Sequence, residues 1–134
     1  MHILIISDAY PPETRSSSLL MKDLANGLKE QGCKITVLTS MPAHFNVEKN
    51  IKFLKEKMKE NGIVVLRTKT IPHHNVKLYI KGIAQFLLPI LFSSIVKKHI
   101  KEKIDVVWLH MPPLTLALTA KLIKKQTGAK FILN

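Results

Sequence analysis

The chain has 134 residues, of which 46% are apolar and 22% charged. This is the length of one domain, and the composition excludes disordered, collagen-like and low-complexity proteins. Lys and Arg number 21 against nine Asp and Glu, a formal charge of +12. Residues 68–134 hold eleven basic and two acidic side chains, whereas residues 1–67 hold ten and seven. A basic half of this kind favours an anionic partner, which can be nucleic acid, anionic lipid or a phosphorylated ligand.

The single cysteine, Cys33, excludes a disulfide framework and a zinc site built on cysteines, and it fits a reducing compartment. The N-terminal segment does not read as a signal peptide, because Asp8 and Pro11-Pro12 interrupt its apolar run. The longest uncharged apolar stretch, residues 82–96, has fifteen residues, whereas about 20 are needed to span a bilayer. We therefore expect a cytoplasmic protein whose contact with a membrane is peripheral.

Short apolar runs alternate with helical patterns along the chain. The runs are residues 3–6, 35–39, 63–66, 106–109 and 131–133, each typical of a strand buried on both faces of a parallel sheet. Leu20, Leu24 and Leu28, with Met21 and Ala25 beside them, predict a first helix that ends at Gly32. A second apolar repeat, at residues 47, 51, 54 and 58, predicts a helix that ends at residue 62, and residues 114–126 predict a third.

This alternation predicts an α/β fold, a Rossmann-like doubly wound parallel sheet with strand order 3-2-1-4-5. Ligands of such sheets bind at the carboxyl ends of the strands, beside the first strand. The loop that follows the first strand reads S-D-A-Y-P-P-E-T-R-S-S-S, and it lacks the G-x-G-x-x-G pattern of dinucleotide-binding proteins.

Four residues of this loop suit a phosphate group. Ser16, Ser17 and Ser18 offer hydroxyls and backbone N–H groups at a helix N-terminus, where the helix dipole favours an anion. Arg15 adds a guanidinium suited to bidentate phosphate contact. The alternative is that one serine only caps the helix and the prolines only shape the turn.

Histidines provide few further candidates. His110 follows the fourth strand, at the same edge of the sheet, where it can contact a ligand or bond a loop carbonyl. The pair His73-His74 lies in a polar loop without further ligands nearby, so we predict no metal site.

Residues 76–103 form an apolar helical segment with lysines near both ends. Pro89 is expected to kink or split this helix. A helix that covers a sheet needs one apolar stripe, whereas this one is apolar nearly all round. It can be a core helix, but we favour a helix in a membrane interface, with lysines on anionic head groups. The residues predicted to contact the membrane are Lys81, Phe86, Leu87, Leu91, Phe92, Lys97 and Lys98.

Several segments together resemble a known family. They are M-H-I-L-I-I-S-D-A-Y-P-P-E, L-x-x-x-L-A-x-x-L-x-x-x-G, K-I-T-V-L-T-S, D-V-V-W-L-H-M-P-P-L-T-L-A-L-T-A and F-I-L-N. In these segments the chain resembles the N-terminal domain of GT-B fold retaining glycosyltransferases of family four. It is most similar to the fucosamine-transferase-like enzymes that add sugars to bacterial O-antigen or capsule precursors.

The resemblance implies that residues 1–134 are the first part of an acceptor-side domain, facing a C-terminal donor domain that this sequence does not contain. The donor would be a nucleotide-diphosphate sugar and the acceptor a lipid-linked saccharide at the inner face of the cell membrane, with no cofactor or metal. Donor phosphates would lie near Arg15 and the three serines that follow it. Asp8, His44 and His110 would lie near the acceptor. No catalytic residue is implied, and we expect residues 1–134 alone to be inactive.

Two other functions remain open from the sequence. One is a non-catalytic subunit of a split glycosyltransferase, a lone Rossmann-like domain that docks a separate donor domain on the membrane. The other is a nucleic-acid-binding domain, which the positive charge favours. The basic residues lack interleaved exposed aromatics, however, and no helix-turn-helix is evident. We therefore predict no nucleic-acid partner.

Overall fold

The computed structural model describes residues 1–42, 54–70, 77–110 and 116–133. Their elements in chain order are β1 (His2–Ile6), α1 (Ser16–Glu30), β2 (Lys34–Ser40), β3 (Lys57–Glu60), β4 (Ile63–Thr68), α2 (Leu78–His99), β5 (Val106–Leu109), α3 (Leu116–Thr127) and β6 (Lys130–Leu133).

The strands form one sheet in the order β3-β4-β2-β1-β5-β6. Every neighbouring pair is parallel except β3 and β4, which are antiparallel. The α/β class with a Rossmann-like sheet is therefore confirmed. The strand order differs from the predicted one, because the sheet is mixed and β3 extends its edge. The other five strands, which coincide with the five apolar runs, stand side by side as β4-β2-β1-β5-β6.

The extra strand corrects the second predicted helix. Met58, taken as the last apolar residue of that helix, lies in β3 and pairs with Val65 of β4. Asn61 and Gly62 join the two strands with φ values of 49° and 80°. Positive φ at both central residues is what a tight two-residue hairpin turn requires, and Asn-Gly is its strongest sequence signal. The first part of the predicted helix, residues 47 and 51, lies outside the described residues.

The sheet separates two apolar layers. Ile3 and Ile5 of β1 pack toward α1, whereas Leu4 and Ile6 pack toward α2 and α3. Every residue of β1 is buried, because both faces of a parallel sheet are covered by helices.

The predicted apolar face of helix α1 packs against the sheet, except at Leu20. Met21 and Ala25 are buried, whereas Leu20 is 54% exposed and Leu24 and Leu28 are half-buried. The predicted stop holds. Gly32, at φ 84°, donates its N–H to the carbonyl of Lys29, and Cys33 donates to Leu28, as in a Schellman motif.

Helix α2 runs unbroken through Pro89 for 22 residues, or about 33 Å. Within the described part of the chain it is the one helix long and apolar enough to cross a bilayer by length and composition, and 39% of its most apolar stretch is buried inside the protein. A core helix passes the same test, so this property is weak evidence of a membrane span.

Candidate functional site at the carboxyl edge of the sheet

The loop after β1 lies where the sheet changes winding direction. Strands β1, β2, β4 and β5 all end at one edge, called here the carboxyl edge. There Ser7 donates its N–H to the carbonyl of Leu38 on one side, and His110 donates to the carbonyl of Ile6 on the other, at 3.1 and 3.0 Å. Asp8 and His110 therefore stand at the ends of adjacent strands, in the position where ligands bind in folds of this class.

Short hydrogen bonds fix the path of this loop. The Ser7 hydroxyl donates to the carbonyl of Ala9, and the Ser40 hydroxyl donates to the carbonyl of Asp8, both at 2.8 Å. The N–H of Glu13 donates to the carbonyl of Tyr10 at 3.2 Å across Pro11-Pro12. The loop is therefore ordered by its own contacts and by β2.

Arg15 pairs with two carboxylates of the same loop. Its Nη1 lies 3.4 Å from Oδ2 of Asp8, and its Nε lies 3.0 Å from Oε1 of Glu13. The three side chains are mostly buried and together carry one net negative charge. A guanidinium has five N–H donors, so Arg15 retains some for a ligand. Its positive charge, however, is already balanced, which weakens the predicted role of Arg15 in phosphate binding.

The three serines differ in their surroundings. Helix α1 begins at Ser16, and its N-cap, Arg15, makes no side-chain capping bond. Ser16 is exposed and Ser17 is half-buried. Ser18 is wholly buried, and its hydroxyl has no hydrogen-bond partner among the described residues. An unsatisfied buried hydroxyl costs about 1–3 kcal/mol, so Ser18 is a polar atom that a ligand or water would satisfy.

Two more buried polar atoms lie on the α1 side of the sheet near the same edge. They are Oγ1 of Thr39 at the end of β2 and Nε1 of Trp108 on β5, and neither has a partner within the described ranges. Alternate residues of a strand point to the same side of the sheet, so Thr39 lies on the α1 side with Val37, whereas Leu38 lies on the other side. Trp108 packs against the apolar layer on the α1 side. With Nε of Arg67 on β4, four unsatisfied polar atoms of the described residues lie on this side of the sheet, and those near the N-terminus of α1 strengthen the case for a polar ligand there.

His110 remains a candidate. Its Nδ1 is buried and has no hydrogen-bond partner in the described ranges, which omit residues 111–115 directly after it. The other predicted histidine of the acceptor site, His44, lies outside the described residues, as does the pair His73-His74. Of the described His, Cys, Asp and Glu side chains, no group of three or more is placed to hold a metal ion.

Sequence reasoning missed a buried arginine behind the loop. Arg67 on β4 has a fully buried side chain, whose Nη1 donates to Oε1 of Glu60 and whose Nη2 donates to the carbonyl of Pro11, both at 2.7 Å. Burial, with a further contribution from Glu60, raises the pKa of the nearby Tyr10 to about 12, although Arg67 opposes the shift. The signal was present, because Arg67 interrupts an apolar strand, I-V-V-L-R-T.

Some of the residues predicted to contact a membrane are exposed, and others are buried or lie on another side of α2. Phe86 is 70% exposed, Leu87 is exposed and Leu91 is half-buried. Phe92 is wholly buried in the core, so its predicted membrane contact is wrong for this conformation. Lys81 is exposed, but it precedes buried Leu88 by seven residues, or about two turns of helix. Lys81 and Leu88 therefore share one side of the helix, and Phe86 lies on the other side.

The outward face of α2 forms one continuous stripe, called here the outward stripe. It begins with apolar residues and ends with lysine. Its members, all exposed, are Tyr79, Ile83, Phe86, Leu87, Ile90, Ser94 and Lys97. Lys98, beside its basic end, donates to Oε1 of Glu56 at 2.7 Å, so its charge is partly neutralised. Hydrogen bonds from His99 and Lys98 also hold the pKa of Glu56 below its usual value.

Comparison with known proteins shows the fold alone. No family model matches the chain, and no curated protein matches it significantly. Two solved structures of the C-terminal domain of the PF1911 hydrogenase from Pyrococcus furiosus are similar in fold. The structure of residues 78–226 has a TM-score of 0.57 at 16% identity, and that of residues 83–215 has a TM-score of 0.61 at 17% identity. Each match covers 99% of this chain and 90% of the other chain.

Proposed function

We propose that this chain is the acceptor-side domain of a retaining glycosyltransferase that works at a membrane surface. The enzyme would move a sugar from a nucleotide-diphosphate sugar to a lipid-linked saccharide in cell-surface polysaccharide synthesis. The observation that carries this proposal is the position of the apolar part of α2. The helix follows β4, so its exposed apolar turns begin at the carboxyl edge of the sheet.

That arrangement suits a substrate with one end in the membrane. The apolar turns of the outward stripe would rest among lipid head groups, and the ligand crevice would face the same surface. A saccharide on a lipid anchor could then reach Asp8 and His110 while its lipid stays in the bilayer. A hydrogenase function is not carried over from the solved structures, because an identity of 16–17% bears on fold alone.

The loop residues support distinct binding roles. The Asp8 carboxylate, held by Arg15, would accept a hydrogen bond from an acceptor hydroxyl, and the His110 imidazole would donate or accept one beside it. The N-terminus of α1, with the unsatisfied hydroxyl of Ser18, would receive a donor phosphate. These residues would bind and orient, and none of them is proposed as a nucleophile.

The membrane-bound state would depend on two kinds of contact. Apolar burial of the outward stripe would hold the helix in the interface, and Lys97 would add attraction to anionic lipid. This proposal places the chain on the cytoplasmic leaflet as a peripheral protein. A C-terminal donor domain would supply the contacts to the nucleotide.

The test is binding to vesicles that carry the acceptor. The chain is sedimented with phosphatidylcholine vesicles that contain, or lack, a polyprenyl-diphosphate-linked saccharide. We expect more bound protein on the acceptor vesicles, and we expect Asp8→Asn to remove that increase. Asp23→Asn, the same change on the exposed face of α1, is the matched control and should keep it. Equal sedimentation with both kinds of vesicle would contradict the proposal.

A further inference from the structure

A large cavity lies at the edge of the sheet opposite the candidate site. It has a volume of 490 Å³ and is bounded by the C-terminal ends of α2 and α3 and by residues 100–104. Its walls include three lysines, Lys97, Lys101 and Lys103, together with the apolar side chains of Val96, Ile100 and Ile104. Residues 100–104 and the end of α3 precede strands β5 and β6, so the cavity is separate from the carboxyl edge.

The charges around this basic cavity favour an anion. Among the described residues of its lining, Glu102 is the only acidic side chain, and Lys34 pairs with that carboxylate. The hydrogen bond from Lys34 holds the pKa of Glu102 below its usual value, so the carboxylate stays ionised and occupied. The lining thus contains three lysines and one glutamate whose carboxylate already has a partner.

Helix C-termini attract cations, so some of these lysines have a local role. Lys101 has one, because its Nζ donates to the carbonyl of Lys97 at 3.1 Å. At the end of α3, the Thr127 hydroxyl donates to the carbonyl of Ile123 at 2.8 Å. Among the described residues, the ammonium groups of Lys97 and Lys103 make no hydrogen bond or ion pair, although the charge of Lys103 helps to lower the pKa of Asp105. Positive charge thus remains beyond what the helix ends use.

The size and walls of the cavity indicate more than a bare ion. Small-molecule sites commonly have volumes of about 300–1,000 Å³ and combine apolar walls with a few polar groups. A phosphate ion alone would leave the half-buried side chain of Ile100 uncovered. A phosphate ester with an organic substituent would place its anionic oxygens on the lysines and its carbon atoms on Ile100.

We propose that the basic cavity binds the phosphate group of an anionic phospholipid head group. Lys97 belongs both to the cavity and to the outward stripe of α2, so a membrane under the stripe would bring head groups to the cavity mouth. The proposal deepens the membrane-docking part of the proposed function. It does not depend on the sugar-transfer part, because it uses the opposite edge of the sheet.

The experiment is a titration of the backbone amide resonances of the chain with three soluble probes. The probes are short-chain phosphatidylglycerol below its micelle concentration, short-chain phosphatidylcholine and inorganic phosphate. We expect phosphatidylglycerol to shift the amides of residues 100–104 and 126–127 saturably. Inorganic phosphate should shift the same amides more weakly, and phosphatidylcholine should shift them least.

Matched variants separate a site from general attraction. Lys103→Gln should weaken phosphatidylglycerol binding about fivefold, which corresponds to about 1 kcal/mol. Lys59→Gln removes the same charge from an exposed position on β3 and should leave the affinity unchanged. Glu102→Gln removes the carboxylate of the described lining and should tighten binding.

Three results would overturn the proposal. The first is that phosphatidylglycerol produces no saturable shift at the cavity. The second is that Lys59→Gln weakens binding as much as Lys103→Gln, which would mean attraction to net charge alone. The third is that inorganic phosphate binds as tightly as phosphatidylglycerol, which would make the ligand a free phosphate. Failure of the sugar-transfer proposal would appear elsewhere, at residues 7–18 and 110, so the two failures are distinguishable.

Discussion

The guanidinium of Arg67 donates a hydrogen bond from Nη2 to the carbonyl oxygen of Pro11, 2.7 Å away and 56 residues earlier in the chain. The same guanidinium donates to Glu60 of β3. One buried side chain thus joins the β3–β4 hairpin to the loop after β1. Because that loop carries Asp8 and Arg15, the geometry of the candidate site depends on a residue on β4.

Replacing Arg67 should therefore destabilise the fold. Arg67→Met leaves the Pro11 carbonyl without this donor and Glu60 without its ion pair. Loss of one partner of a buried pair costs about 3–5 kcal/mol, and partial exposure of Glu60 lowers the expected loss to about 2–3 kcal/mol. Urea unfolding measures it.

Two further variants make this prediction sharper. Lys69→Met, at an exposed position just after β4, should change the free energy of unfolding by less than about 0.5 kcal/mol. Arg67→Lys should lie between wild type and Arg67→Met, because an ammonium cannot reproduce the two-pronged guanidinium contact. An equal loss of unfolding free energy in Lys69→Met and Arg67→Met would mean that the contacts of the buried guanidinium do not stabilise the fold.

His2 should make the stability of the protein depend on pH. Its Nδ1 lies 3.1 Å from the carbonyl of Lys103 and its Nε2 lies 2.9 Å from the Thr36 hydroxyl. Burial lowers the pKa of His2 from the ordinary value of 6.5. The unfolded chain therefore binds a proton more readily, so stability is full above pH 6.5 and falls as the pH drops from there toward the lowered folded pKa.

Thermal unfolding of wild type and His2→Gln, measured across that range, checks this prediction. In His2→Gln, the free energy of unfolding should change less steeply with pH between pH 6.5 and the folded pKa of His2. Asp105 has a pKa held below 3.8, chiefly by a hydrogen bond from the N–H of His2, so its contribution is lost only in more acidic solution. If the free energy of unfolding changes equally with pH in both proteins between pH 6.5 and the folded pKa of His2, the pH dependence belongs to other groups.

The outward stripe should govern binding to lipid vesicles. Phe86→Ser and Ile90→Ser each remove an exposed apolar side chain, and each should weaken binding to phosphatidylglycerol vesicles by about tenfold, or about 1.5 kcal/mol. Leu122→Ser, on the exposed face of α3, is the matched control and should have little effect. Phe92→Ser should instead destabilise the fold by several kcal/mol, because Phe92 is wholly buried. Sedimentation gives the binding, and circular dichroism shows which variants remain folded.

Ser18 should separate folding from ligand binding. Its buried hydroxyl has no partner among the described residues, so Ser18→Ala should leave the free energy of unfolding unchanged or slightly increased. The same change should weaken binding of a nucleoside diphosphate sugar if the N-terminus of α1 receives its phosphate. Ser93→Ala is a useful contrast, because the Ser93 hydroxyl donates to the carbonyl of Ile90 and its loss should cost about 1 kcal/mol. Strong destabilisation by Ser18→Ala would show that this hydroxyl has a structural partner.

Sequence patterns predicted the strands buried on both faces better than they predicted the helices or the edge strand β3. A short continuous apolar run is typical of a strand that is covered by helices on both faces. The patterns failed at β3, where a four-residue apolar spacing was taken for a helix although Asn61-Gly62 marks a hairpin. In α1 the periodicity predicted the burial of Met21 and Ala25, but it did not predict that Leu20 is exposed and Ser18 buried. Tertiary packing decided the orientation at these two positions.

The sequence predicted where the loop after β1 and His110 lie better than it predicted the contacts of their side chains. The loop after β1 and His110 do meet at the carboxyl edge, as the order of the parallel strands requires. The neutralisation of Arg15 by two carboxylates depends on side-chain geometry that no spacing rule gives. The contact between Arg67 and Pro11 joins residues that only the folded sheet brings together.

The central claim is that the carboxyl edge binds a lipid-linked saccharide acceptor. The most direct measurement is a titration of the backbone amide resonances with a short-chain prenyl-diphosphate saccharide, with a duplex oligonucleotide at equal total phosphate concentration as the control. The account predicts saturable shifts at residues 7–10, 16–18 and 110 with the saccharide, lost in Asp8→Asn, and no saturable shifts there with the oligonucleotide. Absence of saturable shifts at these residues with the saccharide, or equal shifts with the oligonucleotide, would contradict it.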